Sequence, residues 1–261
     1  MKREKKPKKP KPPRKKTLAW LPQLFFKPRA TMNKVAAEEE SIKRTPLIFI
    51  TIFLILAVLV AAPIKRQQLQ MNQELPENFQ WWSEQQQQQY FEAQKNQLSP
   101  IFMYVFPILL GVTGYLIFSL IMTSILYLSL TLACSRAPRL KIGNAVAWAM
   151  APFGLRELVK FIVPIAQKKL VSAPGLSGLV DAEAKGALAY LRSVLANLDF
   201  YWLLFAIFLI IGAVLVSGLK KKSAIVTTLV TLLLMLLLQG IPGLISSLLG
   251  GLSIGGAGFY F

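Results

Sequence analysis

Arg156, Glu157 and Lys160 form a cluster of opposite charges at the end of an apolar stretch of this 261-residue chain. Residues three and four apart share a helix face, so Glu157 can pair with Lys160 while Arg156 lies beside Lys160. Charges within an apolar helix often line a solute pathway or a binding site. Pro152 and Gly154 stand just before the cluster. The same residues therefore also suit a helix that bends at Pro152 and brings its charges to the membrane surface, which is the placement expected here.

Groups for other chemistry are scarce. The chain has no His, one Cys (Cys134) and two Asp (Asp181 and Asp199). Without His it lacks the commonest proton shuttle and metal ligand. No GxSxG, P-loop, CxxC or GxGxxG after a strand is present. Cys134 has no His to activate it and reads as a small apolar residue at the end of a span. No catalytic, cofactor-binding or metal-ligating residue is expected, and the chain reads as a non-enzyme without a cofactor.

A second set of residues suits a surface rather than a reaction. Of a net charge of +18, the first 44 residues supply +11. Residues 1–16 are a Lys/Pro tract with Lys5, Lys6, Lys8, Lys9, Arg14, Lys15 and Lys16. Such a tract buries too little apolar surface to offset its ordering entropy and is expected to be disordered. Anionic lipid head groups are its favoured partner, at up to about 1 kcal/mol per basic residue. Nucleic acid is the disfavoured rival, and a tail that only fixes topology is the plain alternative. Trp20, Phe25 and Phe26 follow among Lys27 and Arg29. Aromatic and basic residues beside a span favour the headgroup layer, so these rings are candidate membrane or partner contacts.

The elements that must position these groups are apolar helices. The chain is 54% hydrophobic and 16% charged, too poor in charge for a soluble domain of its length. The pattern predicts an all-α, polytopic membrane protein with about five spans and added interfacial amphipathic helices. A basic tail, 1–44, precedes a membrane domain, 45–249, and a Gly-rich end, 250–261. The spans are expected at about 46–64, 114–134, 142–166, 200–219 and 223–239. Residues 99–134 are longer than one span needs, so a bend, a re-entrant piece or an interfacial helix before residue 114 is open. The loop 65–99 holds five consecutive Gln, 85–89, read as a solvated helix face. Apolar residues between Leu176 and Leu198 recur at three- and four-residue steps, which predicts an amphipathic helix on the outer surface or against the spans. Gly240 onward reads as a short interfacial helix and a loose end. With the N-terminus inside, 21 Lys/Arg fall in inside segments and 9 outside, so the N-terminus is placed in the cytosol and the C-terminus outside.

Three stretches carry a family likeness. They are FKPRATMNKVAAEEE before the first span, the basic loop SRAPRLKIGNAVAWAMAPFGL, and LDFYWLLFAIFLIIGAVLVSGLKKKSAIVTTLV across the last two spans. Over about residues 25–245 the chain resembles the Yip domain family, the Ypt/Rab-GTPase-interacting membrane proteins, and its bacterial members in particular. The likeness implies five spans, a cytosolic N-terminus and, for a bacterial-type member, the cytoplasmic membrane. Eukaryotic relatives are associated with vesicle trafficking and membrane shaping; bacterial members share no clear activity. The Lys/Pro tail and the Gln-containing loop depart from the pattern. The expected function is a membrane scaffold, organiser or assembly partner that meets lipids and other membrane proteins. The alternative is a transporter or channel subunit using Arg156, Glu157 and Lys160.

Overall fold

The computed structural model describes residues 17–71, 75–76, 78–168, 170, 175–181 and 184–249. The basic residues from Lys5 to Lys16 and the Gly-rich end, 250–261, lie outside them. Among the described residues every regular element is helical. A single 3-10 turn leads into α1 (Trp20–Phe26), and α2 (Pro28–Ala37) follows. Next come α3 (Arg44–Met71), α4 (Glu84–Gln97) and α5 (Phe106–Leu132). Then α6 (Arg139–Ala149) and α7 (Ala151–Gln167) form a broken pair. The chain ends in α8 (Ala187–Asn197), α9 (Phe200–Ser217) and α10 (Lys221–Leu249).

Among the described residues four helices are long and apolar enough to cross a membrane: α3, the continuous run Ile101–Leu132, α9, and α10 over Lys221–Ile245. The region expected to bend or re-enter before residue 114 is instead one helical run, with a π-type turn over Ile101–Val105 leading into α5. Pro107 falls just after this π-type turn, where the wider turn accommodates a residue that cannot donate to the preceding turn.

The stretch expected as one span at 142–166 is the α6–α7 pair. The turn is at Met150, and Pro152 occupies the first turn of α7 rather than a bend inside it. Every residue from Ile142 to Ala149 is buried, so α6 is enclosed by protein from Ile142 onward. It packs against α2, α3, α5 and α9. Gly212 allows part of this approach: a Cβ there would come within 2.6 Å of Met32 Cε on α2 and 3.1 Å of Ala145 Cβ on α6.

Two end regions differ from expectation. Gly240, Pro242 and Gly243 do not stop α10, which runs on to Leu249. A Cβ at Gly240 would meet Val194 and Tyr190 of α8 at 2.5 and 2.7 Å, so the glycine admits a close neighbour rather than ending a helix. Among its described residues the amphipathic stretch has a 3-10 turn at Ser177–Leu179 and an α-helix, α8, from Ala187, and α8 packs on α10. Tyr190 donates to the Leu237 carbonyl at 2.9 Å, and the Gly186 N–H donates to Ser247 Oγ at 2.8 Å. Cys134 is exposed and takes φ 69° just past α5, so it ends a helix and does not pack as an apolar residue.

The Gln run lies on α4, which begins with a reciprocal cap between Ser83 and Gln86. Trp81 is exposed, while Trp82 joins Phe79 and Tyr90 in an aromatic cluster over α4.

Candidate functional site: a buried charge network and a docked N-terminal segment

The structure brings Arg156, Glu157 and Lys160 together and adds Tyr115 and Asp199. Glu157 Oε1 accepts from Tyr115 Oη at 2.7 Å and from Lys160 Nζ at 2.9 Å. Arg156 donates through Nη2 to Tyr115 Oη at 2.9 Å. Its Nη1 lies 3.5 Å from Asp199 Oδ2, and its Nε lies 3.7 Å from Glu157 Oε1. Two cations thus face two carboxylates, and the phenol both donates and accepts between them.

The network has a fixed frame. Tyr115 comes from α5, the three charges from α7, and Asp199 begins α9. Asp199 Oδ1 also accepts from the Trp202 N–H at 2.7 Å, which caps α9. Beneath lies an aromatic floor: Arg156 sits 4.9 Å above the Phe153 ring, and Phe153 packs on Phe118 and Phe205. Because Asp199 is the cap of α9, the network lies at that helix's end rather than at mid-length.

At this helix end the charges turn inward between helices. The side chains of Arg156 and Glu157 retain only 12% and 5% of their exposure. Lys160 alone reaches outward, at 43%. The turn falls before the cluster, at Met150, so the charges ride on α7, where they meet α5 through Tyr115 and α9 through Asp199. Arrangement and burial together make this a clamp among three helices. Sequence spacing foresaw the Glu157–Lys160 pair; Tyr115 and Asp199 are 42 residues distant from Glu157 in each direction and carried no local signal.

The second candidate region is the N-terminal segment. Trp20 and Phe25 were expected at the headgroup layer, but both turn toward the protein. The Trp20 ring lies 5.8 Å from Trp148, and Phe25 meets Phe208 edge-on at 5.9 Å. With Leu21 and Leu24, which are buried, they form one face of α1; Phe26 falls off that face and is 86% exposed. From α2, Met32 and Val35 are buried as well. The linker to α3 is pinned by α6. Asn144 accepts from the Ile42 N–H at 3.2 Å and donates to the Glu40 carbonyl at 2.8 Å. Trp148 Nε1 donates to the Ile42 carbonyl at 3.3 Å. Asn144 and Trp148 carried no functional reading in sequence. Their signal was a lone Asn and Trp inside an otherwise Ala-rich apolar helix.

Among the described residues no three His, Cys, Asp or Glu side chains come together as a metal site. An all-helical bundle with several membrane-length helices, an enclosed central helix and a basic end is a polytopic membrane protein. The Yip1 domain profile matches residues 23–256, and the chain belongs to the Yip1 domain family. That family is generally one of non-catalytic membrane proteins. No match to this chain was found among curated proteins or among solved structures.

Proposed function

We propose that this protein is a non-enzymatic membrane scaffold, or assembly partner, that presents its basic N-terminal end to an anionic membrane surface and to other membrane proteins. One observation carries the reading: α1 and α2 are packed into the bundle and their linker is tied to α6 by Asn144 and Trp148. A segment fixed in this way sets where the preceding basic tract leaves the protein. Phe26, exposed beside Lys27 and Arg29, is the ring left for the lipid surface.

In this reading the membrane is the bacterial cytoplasmic membrane and the α6–α7 pair is the fifth crossing. Its 11 and 17 residues would extend about 42 Å if straight, enough to cross even with a bend. The N-terminus is then cytosolic and the C-terminus outside, in accord with the Lys/Arg distribution. Reporter fusions at Glu84 and at the C-terminus should both read outside. An inside reading at Glu84 reverses the orientation, and an inside reading at the C-terminus alone removes the fifth crossing.

The tail is tested in the intact protein. A polarity-sensitive dye placed at residue 10, in a variant lacking Cys134, should report a less polar setting in nanodiscs containing anionic lipid. High salt should reverse the change, because exposed charges are screened over about 8 Å at physiological ionic strength. Replacing Lys5, Lys6, Lys8, Lys9, Arg14, Lys15 and Lys16 with Gln should abolish it. The same spectrum in neutral and anionic discs would leave the tail as a topology signal only.

A further inference from the structure

A cleft of about 400 Å³ opens where the start of α3, the middle of α5 and the start of α6 meet. Lys43 and Arg139 stand at its polar end, and Leu116, Leu120 and Leu140 line the rest. The leucines are 50, 61 and 38% exposed, so the apolar wall is open along the outside of the bundle. Ser119 and Thr123 add two hydroxyls to the lining.

The two cations are neighbours without a counter-charge. Among the described residues no carboxylate pairs with either. Arg139 is held from one side by a 3.0 Å donation to Ser124 Oγ, which uses one of its five N–H groups. Burial, and then the Arg139 charge, pull the Lys43 ammonium below its ordinary range. The ammonium also lies over Gly143, where any side chain would run into it. A half-buried Lys is thus held close to an Arg instead of swinging into water, which costs free energy unless an anion joins them.

The position suggests which anion. Lys43 directly precedes the first residue of α3 and Arg139 begins α6, so both cations stand at helix starts, where basic residues flanking apolar helices meet lipid head groups. Beside them Leu116 and Leu120, one helical turn apart on α5, present an exposed apolar wall. We propose that this cleft is a binding site for an anionic phospholipid, its phosphate held between Lys43 and Arg139 and one acyl chain lying along Leu116 and Leu120. The site is separate from the N-terminal tract and does not depend on it. A lipid held there would join α3, α5 and α6 at one end of the bundle.

The test uses full-length protein in which the seven tail residues are already replaced by Gln, so that the tail contributes nothing. Native mass spectrometry from nanodiscs of mixed phosphatidylglycerol and phosphatidylcholine should show phosphatidylglycerol retained preferentially. Lys43→Gln with Arg139→Gln should lower that retention about tenfold, as expected for the loss of two interfacial cations. Lys43→Arg, which keeps the charge, should retain it. Thermal unfolding gives a second reading: phosphatidylglycerol should raise the melting temperature of the parent and of Lys43→Arg, but not of the double variant. Equal retention of the two lipids, or undiminished retention in the double variant, overturns the proposal. So does protection by inorganic phosphate equal to that by the lipid, which would mark an anion site with no acyl component.

Discussion

Glu157→Gln should destabilise the folded protein by about 3–5 kcal/mol, because it leaves Arg156 buried beside a neutral amide. The carboxylate is the shared acceptor for Tyr115 and Lys160 and stands 3.7 Å from the Arg156 guanidinium. Gln can still accept one of these bonds, but it cannot balance the charge. Asp199 would remain as the single carboxylate near Arg156, at 3.5 Å. The neighbours should respond unequally. Lys160→Gln should cost no more than about 1 kcal/mol, since the Lys160 side chain keeps 43% exposure and its pair is partly solvated. Tyr115→Phe should fall between, at about 1–3 kcal/mol, because it removes a donor to Glu157 and an acceptor for Arg156 together. Equilibrium unfolding of the purified variants in detergent or bicelles orders the three. A Glu157→Gln variant that unfolds like the parent would remove the clamp. One that keeps its stability but alters solute flux in vesicles would favour the transporter reading over the scaffold.

The membrane character and helical class were legible because they rest on long-range sums: hydropathy over twenty residues and the excess of Lys/Arg in short loops. The start of α9 was legible too, since the expected span at 200–219 begins where Asp199 caps the helix, whereas Gly218, at φ 67°, ends it two residues before the expected limit. What was hidden depends on partners far off in the chain. Gly240 and Pro242 read locally as the end of a helix, yet α8 packs against that glycine and the helix continues. Pro107, Gly111 and Gly114 left a bend or re-entrant piece open in 99–134, and all three sit within one continuous helical run. Trp20 and Phe25 have the composition of interfacial residues. Only the presence of Trp148 and Phe208 opposite them turns them inward. The charge cluster shows the same division: its intrahelical pair follows from spacing, whereas its burial follows from Tyr115 and Asp199, which no local pattern ties to it.

Trp148→Ala should release the N-terminal helices from the bundle, at a cost of about 3–5 kcal/mol for the cavity and lost contacts. Trp148 is fully buried in α6, itself the most enclosed helix of the protein. Its ring packs on Trp20, and its N–H reaches the Ile42 carbonyl in the linker. Truncation therefore removes at one stroke the contact to α1 and one of three hydrogen bonds that hold residues 40–42. Asn144→Leu removes the other two and leaves the Ile42 N–H and the Glu40 carbonyl without that partner, at about 1–3 kcal/mol for each group left dry. The two changes differ in kind. Asn144→Leu should loosen the linker while Leu21, Leu24 and Met32 stay in the core; Trp148→Ala should also unseat α1. Limited proteolysis separates these outcomes. Cleavage confined to residues 38–43 is expected for Asn144→Leu, and cleavage extending through residues 17–27 for Trp148→Ala. If α1 sets the exit point of the basic tract, then Trp148→Ala should also weaken the salt-sensitive signal of a dye at residue 10, even though every tail charge is retained. A Trp148→Ala protein with its N-terminal helices still protected and its tail signal intact would show that the tail acts independently of the bundle, and the scaffold proposal would lose its central observation.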